Sequence, residues 1–522
     1  MIMNKFLYMC FSLLITFLVS FSVSANKVLT LDAKLNFTDS RLTNKRVFGI
    51  HGELLWSPIR LGQPLLSSLY NEVGFQDIRL PGGAAGNHYL SQSSKFGCNK
   101  SGDIGEKTLT RIKKYNRALS LKNRSYTTDD FMSFVKQSNT EFTLIINVLC
   151  DTPENTEKWM KQIRDSGVTV KYAEMGSEYY FEEYMWAFPT AAEYIKQAKQ
   201  HAKAVRKIFP DVAVALDTSS ASYRSKHFPD FVEMSKNKRH KRGLGYDKLV
   251  ASAAFADAYI IHIYSPLGTN RRDEALDSID NAKAYSNAIS HFDGRIKPSM
   301  QYLHELSPGK EVWVTEWGTA FYGWRRKHES DFLRTHYNAL FVTNALLTYF
   351  SIPYIESTHY HNFPNLWSNF KRLDPNPLYY AMKLFKSPMK ETDKITSVSL
   401  SGERSYVSTH PDFKGENNDL NSVFFHNDTE GYLFIVNKFG RHYSFKSLVT
   451  GKKSVNIKLL DVTQIKPNKA ISANFEKIVE NKQVLGKGEA VDIAPYSITR
   501  VYVKIRDDIQ MPEQKNKIVE VY

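Results

Sequence analysis

Two glutamates close apolar runs of the kind that form buried strands: Glu178 in residues 172–180 (YAEMGSEYY) and Glu316 in residues 312–318 (VWVTEWG). A pair of carboxyl groups facing each other across a cleft suits one chemistry in particular. One group attacks an anomeric carbon while the other protonates the departing oxygen, and the retaining form of this reaction needs the pair about 5–5.5 Å apart. The acid must keep its proton and the nucleophile must lose it, which unequal surroundings supply. The rest of the chain therefore has to bring residue 178 opposite residue 316.

Eight short apolar runs alternate with helical stretches: residues 46–50, 75–80, 142–149, 168–175, 212–216, 258–264, 311–316 and 352–358. This alternation predicts an α/β fold, a (β/α)8 TIM barrel, in which reactive groups sit at the C-terminal ends of the strands. The fourth and seventh strands of such a barrel lie nearly opposite each other, so Glu178 and Glu316 face one another across its mouth. Asn147 on the third strand, Asn87 and His88 after the second, and His359 and His361 beyond the eighth are placed at the same mouth.

Among the helices, residues 190–209 open with a Thr190/Glu193 capping box and stop at Pro210, with Tyr194, Ile195, Ala198, Ala202, Val205 and Ile208 at helical spacing. Residues 156–167 read similarly, with Trp159, Met160 and Ile163 on one face and Gly167 as C-terminal cap. After a final helix in 377–385 the texture changes to short alternating runs separated by Gly, Asn, Asp and Lys turns, which predicts an appended C-terminal β-sandwich. The expected division is a signal peptide in 1–25, an N-terminal strand joining the sandwich in 26–45, a catalytic barrel in 46–388, the sandwich in 389–506, and a mobile tail in 507–522.

The motifs also resemble a known group. YAEMGSE is similar to the E-x-G-N-E signature of clan A glycoside hydrolases, and VTEWG to the T-E-W/Y-G signature that carries their nucleophile. FGIHGE (48–53) and RLPGG (79–83) resemble the openings of strands one and two in families 51 and 79, which include α-L-arabinofuranosidases, β-glucuronidases and heparanases. Family 39 is a weaker resemblance, and APYSIT (494–499) resembles the closing strand of the sandwich those enzymes append.

Carried over by motif, the resemblance implies that Glu178 is the general acid/base and Glu316 the nucleophile. It implies that Glu53 contacts substrate, and that His262 and Tyr264, at the end of the sixth strand, orient Glu316 and touch sugar hydroxyls. Glu174 reads as a buried structural carboxylate. The family usually has Asn before the acid/base, where its amide bonds the 2-hydroxyl of the sugar; here that residue is Ser177, whose hydroxyl is shorter and has a different donor pattern. Tyr179, Tyr180, Trp317, Tyr322, Trp324 and Trp367 lie in the same loops as candidates for stacking on pyranose faces. Of these Trp317, with Asn147 and Ser177, joins the expected substrate contacts.

Composition sets the wider frame. A chain of 522 residues with 42% hydrophobic and 13% aromatic content is no disordered tail or linker. Lys5, the apolar stretch 6–21 and Val23-Ser24-Ala25 read as a signal peptide cut after Ala25, which predicts a secreted or periplasmic protein without stable membrane insertion. The formal net charge is +15, and removing the leader takes away one basic residue, Lys5. Basic clusters fall at 111–114, 236–242 and 325–327. For an exported protein this predicts an acidic polysaccharide as partner, not nucleic acid, with solvated loop charges as the plain alternative. Cys98 and Cys150 are left after cleavage, free or paired, and no Cys/His cluster has zinc-finger spacing, so neither metal nor cofactor is expected. The expected activity is retaining hydrolysis of an anionic glycan. A neutral-sugar glycosidase and a catalytically impaired glycan-binding protein, kept open by Ser177, are the alternatives.

Overall fold

The computed structural model describes residues 28–55, 57, 59–100, 103–121, 126–219, 246–268, 280–320, 331–408, 416–450, 457–467, 478–485, 489–505 and 518–520. The expected leader, the basic clusters at 236–242 and 325–327, Tyr322 and Trp324 lie outside these residues.

Eight strands form a closed barrel. They are β1 (Gly49–His51), β2 (Asp77–Leu80), β3 (Glu141–Ile145), β4 (Tyr172–Glu174), β5 (Ala213–Asp217), β6 (Ala258–Pro266), β7 (Glu311–Ala320) and β8 (Ile355–Tyr360). Each overlaps one of the eight apolar runs. Neighbours are parallel all round, and β8 closes on β1 through His359 opposite Gly49 and Tyr360 opposite Ile50. Helices cover the outside, so both faces of each strand are buried, which is why runs such as Ile260-Ile261-His262-Ile263 are nearly continuous in apolar character. Gly49 is required at the seam: a Cβ there would stand 2.3 Å from the Thr358 carbonyl oxygen.

The Thr190/Glu193 capping box forms and starts the helix Ala191–Ile208. The helix expected from residue 156 begins earlier, at Pro153–Asp165, because the Thr152 side chain accepts the Asn155 amide and Pro153 fits the first helical position. The helix His336–Ser351 is buried along residues 336–350, the pattern of an element enclosed on every side. One side meets the barrel and another meets the sandwich, where Asn421 Nδ2 donates to Asn344 Oδ1 at 2.9 Å and to the Asn344 carbonyl at 3.0 Å.

The C-terminal region is a β-sandwich built from one folded sheet. Lys394–Ser401 turns the corner: its first half pairs with Leu420–His426 and its second half with Leu29–Leu35. Leu29–Leu35 thereby joins the sandwich and also pairs in parallel with Tyr443–Thr450. Strict alternation gives the sheet two buried faces. Phe424, Leu433 and Ile435 point into the sandwich core with Leu31, Ala33 and Phe445, whereas Phe425, Phe434 and Val436 point toward the barrel. There Phe385 stacks on Phe434 at 4.5 Å and on Phe48 at 5.2 Å, beside the N-terminal ends of β1 and β2. Within residues 507–522, Ile518–Glu520 pairs antiparallel with Ser447–Val449.

Candidate active site

Glu316 comes from the middle of β7, in register with His262 on β6. Because successive strand residues face opposite ways, Glu316 enters the barrel lumen and Trp317 leaves it. Glu316 Oε1 accepts from Arg79 Nη1 at 2.7 Å and lies 3.4 Å from His51 Nε2, while Oε2 accepts from the Tyr264 hydroxyl at 3.0 Å. His51 Nδ1 accepts the Glu53 amide, and its Nε2 lies 2.8 Å from Arg79 Nη1, on the side of the ring that faces Glu316. Arg79 is fully buried and is itself fixed by Glu174 Oε2 at 2.8 Å, so Glu174 acts on the nucleophile through the guanidinium.

Glu178 stands on the turn after β4. Gly176 has φ +88°, and the Tyr179 ring packs where its Cβ would be, so only glycine fits. Glu178 Oε1 lies 3.1 Å from His262 Nδ1 and accepts from the Tyr180 hydroxyl at 3.3 Å. His262 Nδ1 is also 3.7 Å from Glu316 Oε2, so this imidazole bridges the two glutamates, and its Nε2 meets Thr315 Oγ1 at 3.2 Å. The turn is gripped by Asn87, whose amide accepts the Ser177 N–H at 2.9 Å and donates to the Ser177 carbonyl at 2.6 Å.

The electrostatics single out Glu316. Burial alone would raise the Glu316 pKa, but His262, the His51 hydrogen bond and Arg79 together hold it well below the usual range. Burial pushes His51 down to about 3, so it is neutral at physiological pH. Burial also disfavours a charged His262, yet the Glu316 charge and the Glu178 hydrogen bond outweigh it and raise its pKa. A second pair sits at the rim: Glu53 Oε2 is 3.4 Å from His361 Nε2, and against the burial of each the mutual contact lowers Glu53 and raises His361.

Not every expected contact reaches the lumen. Ser177 is fully buried, its hydroxyl accepting from Arg79 Nη2 at 3.3 Å beneath the acid/base position. Asn147 is 3% exposed and caps its own loop, donating to the Tyr89 carbonyl and accepting the Cys150 amide. Trp317 packs outward between Tyr349 and Tyr360. None of these three is presented to a sugar, and strand alternation and loop capping are the reasons. His359 faces Asp77 at the opposite end of the barrel, and His88, Tyr179 and Trp367 are core residues. Glu53, Glu178, His262, Tyr264, Glu316 and His361 do converge. Arg79 and His51 carry no assigned role in the sequence beyond their places in RLPGG and FGIHGE; an Arg at a barrel strand end, with two carboxylates to serve, is the signal the sequence offers.

Two sets of side chains among the described residues have donor atoms within 4.8 Å of one another: His51, Glu53 and His361, and Glu178, His262 and Glu316. Either set has the donor chemistry of a divalent-cation site. In the second, a cation would take up the lone pairs that an acid and a nucleophile need. Cys98 and Cys150 are joined in a disulfide, which ties the excursion after β2 to the loop after β3.

No family model matches the chain, and no curated protein matches it. Solved structures do share its fold. An arabinofuranosidase of glycoside hydrolase family 51 from Xanthomonas axonopodis pv. citri superposes with a TM-score of 0.67 at 14% identity, covering 91% of this chain and 100% of that one. The thermostable family 51 α-L-arabinofuranosidase from Thermotoga petrophila RKU-1 gives 0.62 at 13% identity, over 90% and 99%. A family 44 xyloglucanase from Paenibacillus polymyxa gives 0.57 at 12% identity, over 92% and 100%. At such identities the likeness is one of fold: a TIM barrel with an appended strand-rich domain, shared with clan A-like glycoside hydrolases.

Proposed function

We propose that the protein is a retaining glycoside hydrolase. The observation that carries this reading is the approach of a Glu178 carboxylate oxygen to within 4.8 Å of one from Glu316. That spacing suits direct attack and falls short of the roughly 6.5–9.5 Å that leaves room for a water between the pair. Glu316, held ionised by Arg79 and His51, attacks the anomeric carbon; the glycosidic C–O bond breaks and Glu178 gives its proton to the leaving oxygen. Water then attacks the glycosyl–Glu316 ester, Glu178 takes the water's proton, and the sugar leaves with retained configuration. The Tyr264 hydroxyl and His262 steady the charge on Glu316 as it changes.

The substrate proposed is an anionic polysaccharide met outside the cytoplasm, on the strength of the +15 charge and the leader-like first 25 residues. The second reading, a neutral glycan, is favoured by the fold neighbours, which are arabinofuranosidases and a xyloglucanase. Of the basic clusters, Arg111 is engaged with Glu183 and donates to the Tyr184 hydroxyl at 2.9 Å, so it serves the wall of the site first. Reducing-end release from uronic-acid and sulfated glycans beside arabinan, xylan and xyloglucan, with Glu316→Gln in parallel, tests both levels. Release from an acidic glycan alone supports the full proposal, release from a neutral one moves the substrate, and release equal in the variant removes the mechanism.

A further inference from the structure

Glu178 has φ +60°, in the left-handed region that a residue with a Cβ occupies at a cost of about 1–2 kcal/mol. Such a conformation persists where the surroundings over-determine it. A left-handed residue also turns successive amide N–H groups toward one side, forming a concave acceptor site for a carboxyl group. At this turn the Tyr179 N–H donates to Asp217 Oδ2 at 2.7 Å, and the Glu178 N–H is directed to the same carboxyl group. Asp217 ends β5, the strand beside β4, and is 1% exposed. Its own amide donates to the Tyr194 hydroxyl at 2.9 Å, which in turn donates to the Met175 carbonyl at 2.8 Å, so both ends of the turn are tied to the barrel frame.

We propose that Asp217 is a positioning residue for the proton donor: by gripping the amides of Glu178 and Tyr179 it fixes the left-handed turn and thereby the direction in which Glu178 presents its proton to the leaving oxygen. This rests on the hydrolase reading above. Asn87 holds the other side of the same turn, through Ser177, so the acid/base is clamped from β5 and from the loop after β2. The geometry also comes at a cost that a core-filling residue would avoid, because Asp217 Oδ1 is buried with no hydrogen-bond partner among the described residues. Burial, with the nearby Glu178 charge, pushes Asp217 up to about 8 against the opposing pull of His262 and the two amides, so near neutrality the carboxyl grips the turn while adding no full charge beside the acid.

The test compares Asp217→Ala, which loses the acceptor, with Asp217→Asn, whose amide oxygen can still receive both N–H groups. Each is assayed on the glycan that the unaltered protein opens and on a 2,4-dinitrophenyl glycoside of the saccharide it releases, whose leaving group needs little protonation. Asp217→Ala is expected to lose about 10–100-fold in kcat/KM on the glycan, which reads the step that needs the donated proton, with kcat/KM on the activated glycoside nearly unaffected. Asp217→Asn is expected to stay within about threefold of the unaltered protein on both. Equal losses on the two substrates, or an Asn variant as impaired as the Ala variant, would overturn the assignment. Thermal melts verify folding; if Asp217→Ala does not fold, Asp217→Ser replaces it, and failure of both makes Asp217 structural and overturns the assignment too. An unaltered protein silent on glycan and activated glycoside alike marks the failure of the hydrolase reading itself, and this assignment goes with it.

Discussion

The two catalytic candidates differ in what surrounds them, and that difference can be measured. Glu316 receives Arg79, His51 and Tyr264, whereas Glu178 meets His262 and Tyr180 and its side chain is 22% exposed against 10% for Glu316. Tyr264→Phe removes one donor from the ionised Glu316 without changing the shape of the lumen. It is expected to lower kcat about tenfold with little change in KM and to raise the acidic limb of the kcat/KM profile, since a donor lost from the charged form raises a carboxyl pKa. His262 is expected to contribute to the alkaline limb. Its pKa lies above the ordinary 6.5, so its positive charge beside both glutamates is present below that raised value and is lost as pH rises through it. Activity should decline there, and His262→Gln should lack that contribution while having lower activity throughout; an unchanged limb in the variant would assign it elsewhere. At this scale Glu178 and Glu316 were legible because each closes an apolar run. Arg79 was not, because its meeting with Glu316 bridges 237 positions of chain and depends on barrel closure. Ser177 and Asn147 misled in the opposite way: their positions at strand ends are real, but their polar atoms are used by Arg79 and by a loop cap.

Elements position those residues through close backbone approach more than through side-chain bulk. Gly49 precedes His51 by two places and lies against β8, so Gly49→Ala must push the β1–β8 seam apart. A loss of about 1–3 kcal/mol in stability is expected, seen as a lower urea midpoint, together with lower activity from displacement of His51. The Cys98–Cys150 bridge acts on the other side of the mouth by closing a loop of 52 residues. Replacing both cysteines by serine is expected to cost about 2–4 kcal/mol, read from the same denaturation curve, while an unchanged midpoint would mean that the bridge contributes nothing to the unfolded-state entropy. Helix signals were readable where a side chain caps the first turn, as at Thr190, and shifted where Thr152 caps the helix ahead of the start expected at residue 156. The barrel order was readable because eight buried strands cannot disguise their apolar character. Which side Trp317 faces follows from alternation once Glu316 is placed inward, so that part was present in the sequence and depended only on fixing the strand's inner face.

For the whole molecule, pH acts through buried groups spread over both core regions and the site. His51, His88 and His201 are pushed by burial to about 3 and His336 to about 4, so each takes up a proton on unfolding at any pH between those values and 6.5. Despite burial, Glu53, Asp77, Asp293 and Glu316 are held below their ordinary values by cationic partners, and their contribution is present above the unfolded carboxyl range and lost as pH falls through the folded values. Both sets make acid destabilising. Asp217 at about 8, with Glu356 and Glu403 at about 7, works the other way: burial keeps them protonated in the folded state, so unfolding near pH 5–6 releases their protons and offsets the histidines. Below about 4.5 those three are protonated in both states and the offset disappears. The thermal midpoint is therefore expected to change little between pH 5 and 6.5, and to drop steeply below about 4.5, where each proton of difference is worth about 1.4 kcal/mol per pH unit. Melting curves at half-unit steps decide it: a midpoint already falling steeply from pH 6.5 to 5 would mean that the buried carboxyls are ionised in the folded protein. In that case Asp217 would grip the Glu178 turn as an anion rather than as a neutral acid.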